Sequence, residues 1–173
     1  AQWFEGSCGS AVIGTGNSIT VSPTVNTTYF VRYAGSCNTT ACASTNVTVT
    51  VPTGISPTNG DMVWRGASNT DWALLGNWWL YNGTSYGAAT AAPTDLQNVI
   101  IPSAGTTCVL SQPNTFANAG SAKTLRIESG ATLTMGNGTL TVAENWVNNG
   151  TFAPGSGTVA FTGTGNHSIS GSS

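Results

Sequence analysis

The acidic side chains are the first candidates for chemistry in this 173-residue chain, which holds only six Asp plus Glu residues. Glu128 and Glu144 could lie on neighbouring turns of a repeated structure, with Lys123 and Arg126 close to Glu128. A glycosidase needs two carboxylates about 5–9 Å apart around a sugar, and a β-helical lyase or hydrolase is suggested only by analogy of fold. The simpler interpretation is a pair of solvated salt bridges, so we expect no catalytic residues and no enzyme.

Metal binding and nucleophilic catalysis have weaker signals. No C-x2-C pair occurs and the single histidine, His167, is remote from the cysteines, which argues against zinc. His167 lies in a Gly/Ser/Thr-rich segment that has nothing to hold a Ser-His-Asp triad in place. Calcium could bind at Asp61, Asp71 or Asp95, because it accepts several kinds of oxygen ligand, but no EF-hand or calcium-binding repeat is present. We therefore expect no metal and no cofactor.

The cysteines indicate a disulfide. Cys37 and Cys42 flank four residues between two strand-like stretches, so a hairpin could set their Cα atoms near the roughly 5.5 Å that a disulfide requires. We predict that Cys37 and Cys42 are joined, with two free thiols as the alternative. The partner of Cys8 could lie upstream of this sequence, and Cys108 has no obvious partner. Disulfides would indicate an oxidising, extracytoplasmic setting.

Large aromatic residues are concentrated between positions 64 and 86, where the sequence holds Trp64, Trp72, Trp78, Trp79, Tyr81 and Tyr86. Flat rings can stack on sugars, which makes the four tryptophans candidate ligand-binding residues. Alternatively they form a cap, because the first turn of a solenoid has no neighbour and each large ring buries roughly 150–250 Å². We favour the cap, in which one ring could also face a ligand.

A 19-residue repeat predicts the elements that would position these side chains. Residues 130–148 align without a gap on residues 149–167, so that Leu133 falls on Phe152 and Leu140 falls on Val159. Each copy carries two Thr-apolar pairs near glycines, which predicts two short strands around a bend. A period of about 20 residues is typical of a solenoid. We predict a parallel β-helix in which these pairs stack and point inward.

Composition favours an all-β chain and excludes several partners. Only 6% of the residues are charged, against roughly 25% in ordinary soluble domains, and abundant Thr, Gly and Asn disfavour long helices. The net charge is −2, and the four basic residues do not cluster, so we expect no nucleic-acid partner. No apolar run approaches the roughly 18 residues of a membrane span, so we expect no membrane insertion by this segment.

Three regions follow from the patterns along the chain. Residues 1–52 alternate as strands do at 18–22, 28–33 and 46–51, which indicates the C-terminal part of an immunoglobulin-like (Ig-like) sandwich. Residues 53–60 are rich in Pro, Gly and Thr and form a linker. Residues 61–173 form the β-solenoid module, which we expect to continue beyond residue 173.

The predicted fold class is thus all-β: a partial Ig-like β-sandwich followed by a short parallel β-helix with an aromatic-rich cap. An Ig-like sandwich needs about seven strands, and the first region supplies four or five. We therefore expect upstream residues or a partner polypeptide to complete it.

Several motifs resemble one family. Residues 3–51 resemble the C-terminal half of Ig-like modules in giant surface proteins of Bacteroidota. The rest looks like the β-helical module that often follows, with the marks WRG, DW, NW, VIIP, NNGTF and GTVAFTGTG in order. The resemblance implies type IX secretion and a place in a cell-surface adhesin, such as a gliding-motility adhesin of the SprB type. It supplies no catalytic residues.

The function expected from this resemblance is that of a non-enzymatic structural and adhesive segment of a large secreted protein, mediating surface attachment or gliding motility outside the bacterial cell. Its partners would be neighbouring modules of the same polypeptide, a surface or glycan ligand, and the secretion machinery during export. The alternatives are a carbohydrate-binding module that uses the aromatic residues 64–86 and, as a third hypothesis, a β-helical polysaccharide lyase or hydrolase.

Overall fold

The chain is all-β and divides into two compact units, residues 1–50 and residues 51–173. The structure is a computed structural model that describes residues 1–21, 23–49, 51–66, 71–103, 114–116 (backbone) and 120–172. Within those ranges the only helical element is a 3-10 turn, Leu75–Asn77. No helix in the described part is long and apolar enough to cross a membrane.

The first unit contains one four-stranded antiparallel sheet, in the order β2-β1-β3-β4. Its strands are β1 (Gln2–Glu5), β2 (Val12–Thr15), β3 (Thr27–Arg32) and β4 (Ala43–Val47). Strand β3 has the sequence TTYFVR, whose aromatic and β-branched residues favour a strand with side chains on alternating faces.

The two faces of this sheet are covered differently. On one face, Phe4 pairs with Phe30 and is buried, and the guanidinium of Arg32 lies 4.9 Å from the Phe4 ring centre. On the other face, Tyr29 is buried opposite Glu5. Ile19, Val21, Pro23 and Val25 are among the residues that line a groove of about 360 Å³ over that second face. Loops, rather than a second sheet, supply the cover among the described residues.

Two of the three strands predicted in this unit differ from the structure. Residues 18–21 form no strand, and instead the Ile19 side chain fills the space over Gly14 of β2. The last strand spans 43–47 rather than 46–51, since the Val49 N–H donates to the Asn26 side chain instead of a sheet partner. The prediction for 28–33 is confirmed with a shift of one residue, because the Tyr33 N–H bonds to the Thr40 hydroxyl where a turn begins.

The second unit begins with two antiparallel pairings. Strand β5 (Met62–Trp64) pairs with β6 (Trp78–Tyr81), and β6 pairs with β7 (Tyr86–Ala88). On its other side β5 pairs in parallel with β8 (Val99–Ile101). The antiparallel strands therefore lie at one end of a sheet that is parallel from β5 onward.

From β8 onward the chain repeats a turn of three short strands. The first turn consists of β8, β9 (Asn114–Phe116) and β10 (Gly120–Ala122). The second and third turns and the start of a fourth comprise β11 (Leu125–Ile127), β12 (Thr132–Met135), β13 (Thr139–Val142), β14 (Trp146–Asn148), β15 (Thr151–Ala153), β16 (Thr158–Phe161) and β17 (Ile169–Gly171).

Corresponding strands of successive turns pair in parallel and form three sheets. Their orders are β17-β14-β11-β8-β5-β6-β7, β15-β12-β9 and β10-β13-β16. Leu133 pairs with Phe152 in one sheet, and Leu140 pairs with Val159 in another. The 19-residue register predicted from the sequence is therefore confirmed for these two sheets. In the third sheet the offset from β11 to β14 is larger, since Leu125 pairs with Trp146.

Alternation within each strand creates the core between the sheets. In β12, Thr132 and Thr134 are half-buried, whereas Leu133 and Met135 are buried. The inward side chains form one cluster, which includes Val99, Ile101, Ala122, Leu125, Ile127, Leu133, Leu140 and Val142. Successive turns thus contribute apolar side chains to one continuous core.

Glycine is required where one turn passes over the previous one. Gly155 has φ +57°, and a Cβ there would overlap the carbonyl oxygen of Met135. A Cβ at Gly157 would lie 2.6 Å from Cε of Met135. These positions correspond to Gly136 and Gly138 one repeat earlier, so the glycines of the sequence repeat mark the close approach of successive turns.

The core layers predict a contrast between two leucines. We expect Leu133→Ala, at a site with 0% exposure, to lower the free energy of unfolding by about 2–5 kcal/mol, because it removes packed atoms and leaves a cavity. Leu96→Ala, at a site with 77% exposure, should change it by less than about 0.5 kcal/mol. Urea unfolding followed by tryptophan fluorescence measures both, and equal effects would contradict the layered core.

Candidate functional site

Three tryptophans form a buried aromatic cluster beside the first turn, namely Trp64, Trp72 and Trp78. The ring of Trp78 meets those of Trp64 and Trp72 edge to face, at centroid distances of 4.9 and 4.7 Å. Its indole N–H donates to the carbonyl of Trp72 at 2.7 Å. A Cβ added at Gly120 of β10 would lie 3.1 Å from the Trp72 ring, so the cluster packs directly on the first turn.

A buried asparagine holds the backbone that carries this cluster. The Asn77 side-chain amide donates to the carbonyl of Asp71 at 2.8 Å, and the Asn77 carbonyl accepts the N–H of Arg65 at 2.7 Å. The Asp71 carboxylate accepts the N–H of Ala73 at 2.9 Å. These bonds connect the segments around β5 and β6, so that their tryptophans face the same core.

Trp79 lies on the opposite face of the same sheet. It pairs with Val63, and the guanidinium of Arg65 lies 4.3 Å from its ring centre. Burial lowers the pKa of Arg65. The guanidinium nevertheless remains a cation and can interact with the face of the Trp79 ring. The Tyr86 ring lies 6.3 Å from Trp79 and 5.1 Å from Tyr81. Trp79 is thereby enclosed by side chains of its own sheet.

Each of the four tryptophans chosen as candidate ligand-binding residues is at most 2% exposed. Trp64, Trp72 and Trp78 contact one another and the core, and Trp79 contacts Arg65. None of the four therefore offers a free ring face to a sugar. Trp64, Trp72 and Trp78 together close the apolar interior beside β8, and Trp79 lies outside it on the other face of the sheet.

The candidate acids are engaged in two separate ion pairs. Glu128 contacts Nε of Arg126 at 2.6 Å, and Glu144 contacts Nζ of Lys123 at 3.5 Å. Arg126 also donates to the carbonyl of Ser56 at 3.4 Å. Each carboxylate thus has its own cation, as the salt-bridge interpretation of the sequence expects.

Asp61, considered for calcium, binds neighbouring protein groups. Its buried carboxylate accepts the Thr58 N–H at 2.8 Å, the Thr58 hydroxyl at 3.0 Å and the Asn98 amide at 3.0 Å. Three donors satisfy a buried carboxylate, which here ties the turn before β5 to the residue before β8. In the described ranges no group of three or more His, Cys, Asp or Glu could hold a metal.

His167 is held more firmly than the sequence suggested. Nδ1 lies 2.8 Å from the carbonyl oxygen of Glu144, and Nε2 lies 3.1 Å from that of Gly163. Its ring centre is 5.3 Å from that of Phe161. His167 therefore links the third turn to the start of the fourth, a role that its Gly/Ser/Thr-rich surroundings did not indicate.

The disulfide of the first unit joins Cys8 to Cys42, with a Cα–Cα distance of 6.1 Å. The prediction of a Cys37–Cys42 bond is wrong, and so is the expectation that Cys8 has an upstream partner. The hairpin closes earlier than assumed, through the Gly35 N–H to the Asn38 carbonyl. Cys37 is consequently a free, exposed thiol at the tip. Cys108 lies outside the described residues.

The Cys8–Cys42 bond carries information about the compartment. Stable disulfides persist in oxidising environments and are rare in the reducing cytoplasm. This bond connects the loop after β1 to the residue before β4. It is therefore structural in position and typical of proteins outside the cytoplasm.

Comparison with protein-family models, with curated proteins and with solved structures finds no match.

One feature that the sequence reasoning did not single out is an apolar concavity of about 190 Å³ at the end of the third turn. It is lined by Trp146, Phe152, Val159, Phe161 and Ile169, and we call it the open end. The sequence repeat indicated this apolar layer, because residues 149–167 carry apolar side chains at the positions where residues 130–148 carry theirs.

The disulfide assignment predicts a specific thiol pattern. Peptide mapping without reduction should recover Cys8 linked to Cys42, and Cys37 should react with a thiol reagent in the folded protein. Cys42→Ser should lower stability by about 4 kcal/mol on the chain-entropy model, for the sequence separation of 34 residues. Cys37→Ser is the matched control and should leave stability unchanged. Recovery of a Cys37–Cys42 peptide would contradict the structure.

The tyrosine pair predicts a pH effect. Burial, and secondly the neighbouring Tyr81, raise the pKa of Tyr86 above its ordinary value of 10.0. The folded state favours the protonated form of Tyr86. Its contribution to the free energy of unfolding is therefore complete below pH 10.0, and it is lost as the pH rises through the higher pKa that Tyr86 has in the folded state. Burial also raises the pKa of Tyr29, so absorbance at alkaline pH should show late ionisation that Tyr86→Phe reduces but does not abolish. The free energy of unfolding of the same variant, measured with urea, should depend less on alkaline pH. A titration identical to that of the original chain would contradict the assignment.

Proposed function

We propose that this chain is a non-enzymatic structural and adhesive segment of a large secreted cell-surface protein, composed of part of an Ig-like sandwich followed by a short β-helix. The observation that carries the proposal is the stacking of successive turns through parallel strand pairs in three sheets around one apolar core. This arrangement suits a rigid rod, because each turn is bonded to the next along the axis.

The strand order of the first unit supports the Ig-like part of the proposal. An Ig-like sandwich contains a sheet with strands C, F and G adjacent, extended by C′ in variable-type domains, and a tryptophan on strand C. The order β2-β1-β3-β4 corresponds to C′-C-F-G, with Trp3 on β1. In this assignment residues 18–21 would belong to the opposite sheet, which accounts for their lack of a partner in the described sheet.

The second unit supports the β-helical part. Its parallel pairs are in register over three strands per turn, and the aromatic cluster closes the end of the core beside β8. In this assignment Trp64, Trp72 and Trp78 are the cap that a first turn needs. Their burial also favours the cap over the carbohydrate-binding alternative.

A rod of this kind acts mechanically. It would hold binding surfaces away from the cell, and weak contacts repeated along a polypeptide would raise the overall avidity. The low charge of the chain, 6% of residues, leaves a surface of hydroxyl and amide groups. Such groups suit contact with hydrated surfaces or glycans better than contact with ionic polymers.

The proposed location is the bacterial outer surface, reached by type IX secretion as the family resemblance implies. The disulfide supports an extracytoplasmic location. The partners would be neighbouring modules of the same polypeptide, the export machinery during secretion, and a surface or glycan ligand.

Adhesion is tested with beads that carry the purified chain. We expect them to resist shear on glass or polysaccharide-coated surfaces more than beads carrying an unrelated all-β domain. Gly155→Ala is expected to disturb the third turn and reduce attachment, whereas Gly165→Ala, where an added Cβ meets nothing within 4 Å, should not. Attachment equal to that of the unrelated domain would refute an adhesive role for this segment.

Exposure at the cell surface needs a separate test in the source bacterium. An antibody against residues 1–173 should label intact cells, and deletion of the segment should weaken attachment or gliding. Labelling only after lysis, or deletion without either effect, would contradict the proposal.

A further inference from the structure

Arg65 is a cation without a counter-ion, on the face of the β5–β6–β7 sheet that points away from the core. It is half-buried, and its guanidinium lies 4.3 Å from the ring centre of Trp79. In the described part of the chain the two ion pairs involve Lys123 and Arg126, and neither involves Arg65. Burial lowers the pKa of Arg65, as expected for a cation that lacks a carboxylate neighbour. A guanidinium partly removed from water in this way is stabilised when an anion pairs with it.

Two tyrosines lie on the same face as this cation. Alternation along β6 places Trp79 and Tyr81 on one side of the sheet, and Tyr86 of β7 pairs with Tyr81. The centres of the two tyrosine rings are 5.1 Å apart, and the Tyr86 ring lies 6.3 Å from that of Trp79. Both tyrosines are half-buried, so part of each side chain is accessible to solvent. Because Arg65 and Tyr86 both lie next to Trp79, the cation and the phenol rings form one surface. We call this surface of Arg65, Tyr81 and Tyr86 the Arg–Tyr face.

The turn between β6 and β7 holds the two tyrosines in place. The side-chain carbonyl of Asn82 accepts the N–H of Thr84 at 3.0 Å and the N–H of Ser85 at 2.9 Å. The Tyr81 hydroxyl donates to the Gly83 carbonyl at 3.1 Å. A turn fixed by these bonds presents the phenol rings already ordered, which reduces the entropic cost of binding a ligand.

The chemistry of the Arg–Tyr face indicates which ligand it fits. A planar guanidinium pairs with a carboxylate through two parallel hydrogen bonds. Phenol rings offer an apolar body and a polar tip. An acidic sugar matches both requirements, because it carries a carboxylate beside a ring that has apolar faces and hydroxyl groups. Only 6% of the residues of the chain are charged, so a glycan with widely spaced carboxylates fits the surrounding surface better than a densely charged polymer.

We infer that the Arg–Tyr face binds an acidic sugar of a glycan, with Arg65 holding the carboxylate and with Tyr81 and Tyr86 contacting the sugar ring. The inference rests on the proposed adhesive function and names the class of glycan that this segment contacts. It differs from the carbohydrate-binding alternative based on the four tryptophans, whose rings are buried. A face of three residues makes few contacts, so each binding event is weak and attachment depends on repetition along the polypeptide.

Titration of the full chain with a hyaluronan tetrasaccharide, followed by calorimetry and by NMR, tests the inference. This probe alternates glucuronate with N-acetylglucosamine, and the neutral tetramer of N-acetylglucosamine is its matched control. We expect the acidic tetrasaccharide to bind about tenfold more tightly than the neutral one, because only the acidic one can form charge-assisted hydrogen bonds with the guanidinium. The resonances of Trp79, Tyr81 and Tyr86 should shift on binding.

Variants assign the binding to the Arg–Tyr face. Arg65→Met removes the charge but keeps a long side chain over Trp79, and it should weaken binding of the acidic tetrasaccharide about tenfold. Arg65→Lys keeps the charge without the planar fork and should recover part of the loss. Tyr81→Ala removes a ring contact and should also weaken binding. Lys123→Met is the matched control, because it removes one cation from an exposed ion pair elsewhere, and it should leave binding unchanged. Circular dichroism checks that each variant is folded.

Four outcomes would overturn the inference. The first is the absence of saturable binding of the acidic tetrasaccharide. The second is equal binding of the acidic and neutral tetrasaccharides, since the carboxylate would then not be recognised. The third is an equal loss of binding in Arg65→Met and Lys123→Met, or no loss in Arg65→Met, because the attraction would then not depend on this face. The fourth is equally tight binding of a tetraglutamate peptide, since the partner would then be an acidic polypeptide.

The bead assay separates this inference from the function on which it rests. Beads that resist shear, carrying a chain that does not bind the acidic tetrasaccharide, would refute the glycan site and leave the adhesive role intact. Saturable, Arg65-dependent binding by a chain whose beads attach no better than those with an unrelated domain would refute the adhesive role and leave the glycan site intact.

Discussion

Every turn of the second unit can bury its apolar side chains only between two neighbouring turns. This constraint explains the apolar layers, in which inward side chains of the strands recur at nearly fixed intervals. It also explains why the two ends of the stack differ. At one end the aromatic cluster supplies a neighbour of another kind, with large rings in place of a strand layer. At the other end the layer that contains Phe152, Val159 and Phe161 is only partly buried.

The unusual composition follows from the same constraint. Successive turns approach so closely that Gly155 and Gly157 can carry no side chain without meeting the turn beneath. Outward positions of the strands carry Thr and Ser, which favour extended backbone and can bond to the next turn, as the Thr141 hydroxyl does to Ser121 at 2.9 Å. Charged side chains are few, and those near the stack occur as neighbouring pairs such as Arg126 and Glu128. A chain built this way gains stability from repetition rather than from a large globular core.

The parts that sequence reasoning could predict are those set by local repetition. The pairing of Leu133 with Phe152 follows from the 19-residue period of the sequence, because the same residue types recur where the same structural environment recurs. The disulfide was missed because Cys8 and Cys42 are brought together by the antiparallel sheet, and sequence proximity favoured Cys37 instead. Residues 18–21 were wrongly predicted as a strand because alternation shows a capacity for a strand but does not identify a partner. The burial of Trp79 depends on Arg65 and Tyr86, whose positions follow from tertiary pairing.

The Cys8–Cys42 bond divides the first unit mechanically. Strands β2 and β3 lie inside the covalent loop, whereas β1 and β4 lie outside it. A pulling force along the polypeptide would be carried across the loop by the sulfur atoms and would reach only the outer strands. The 34-residue separation keeps about 120 Å of extended chain out of reach of that force, at roughly 3.5 Å per residue. Under a pulling force this unit would therefore lengthen little while the bond is intact, and reduction of that one bond would let it extend.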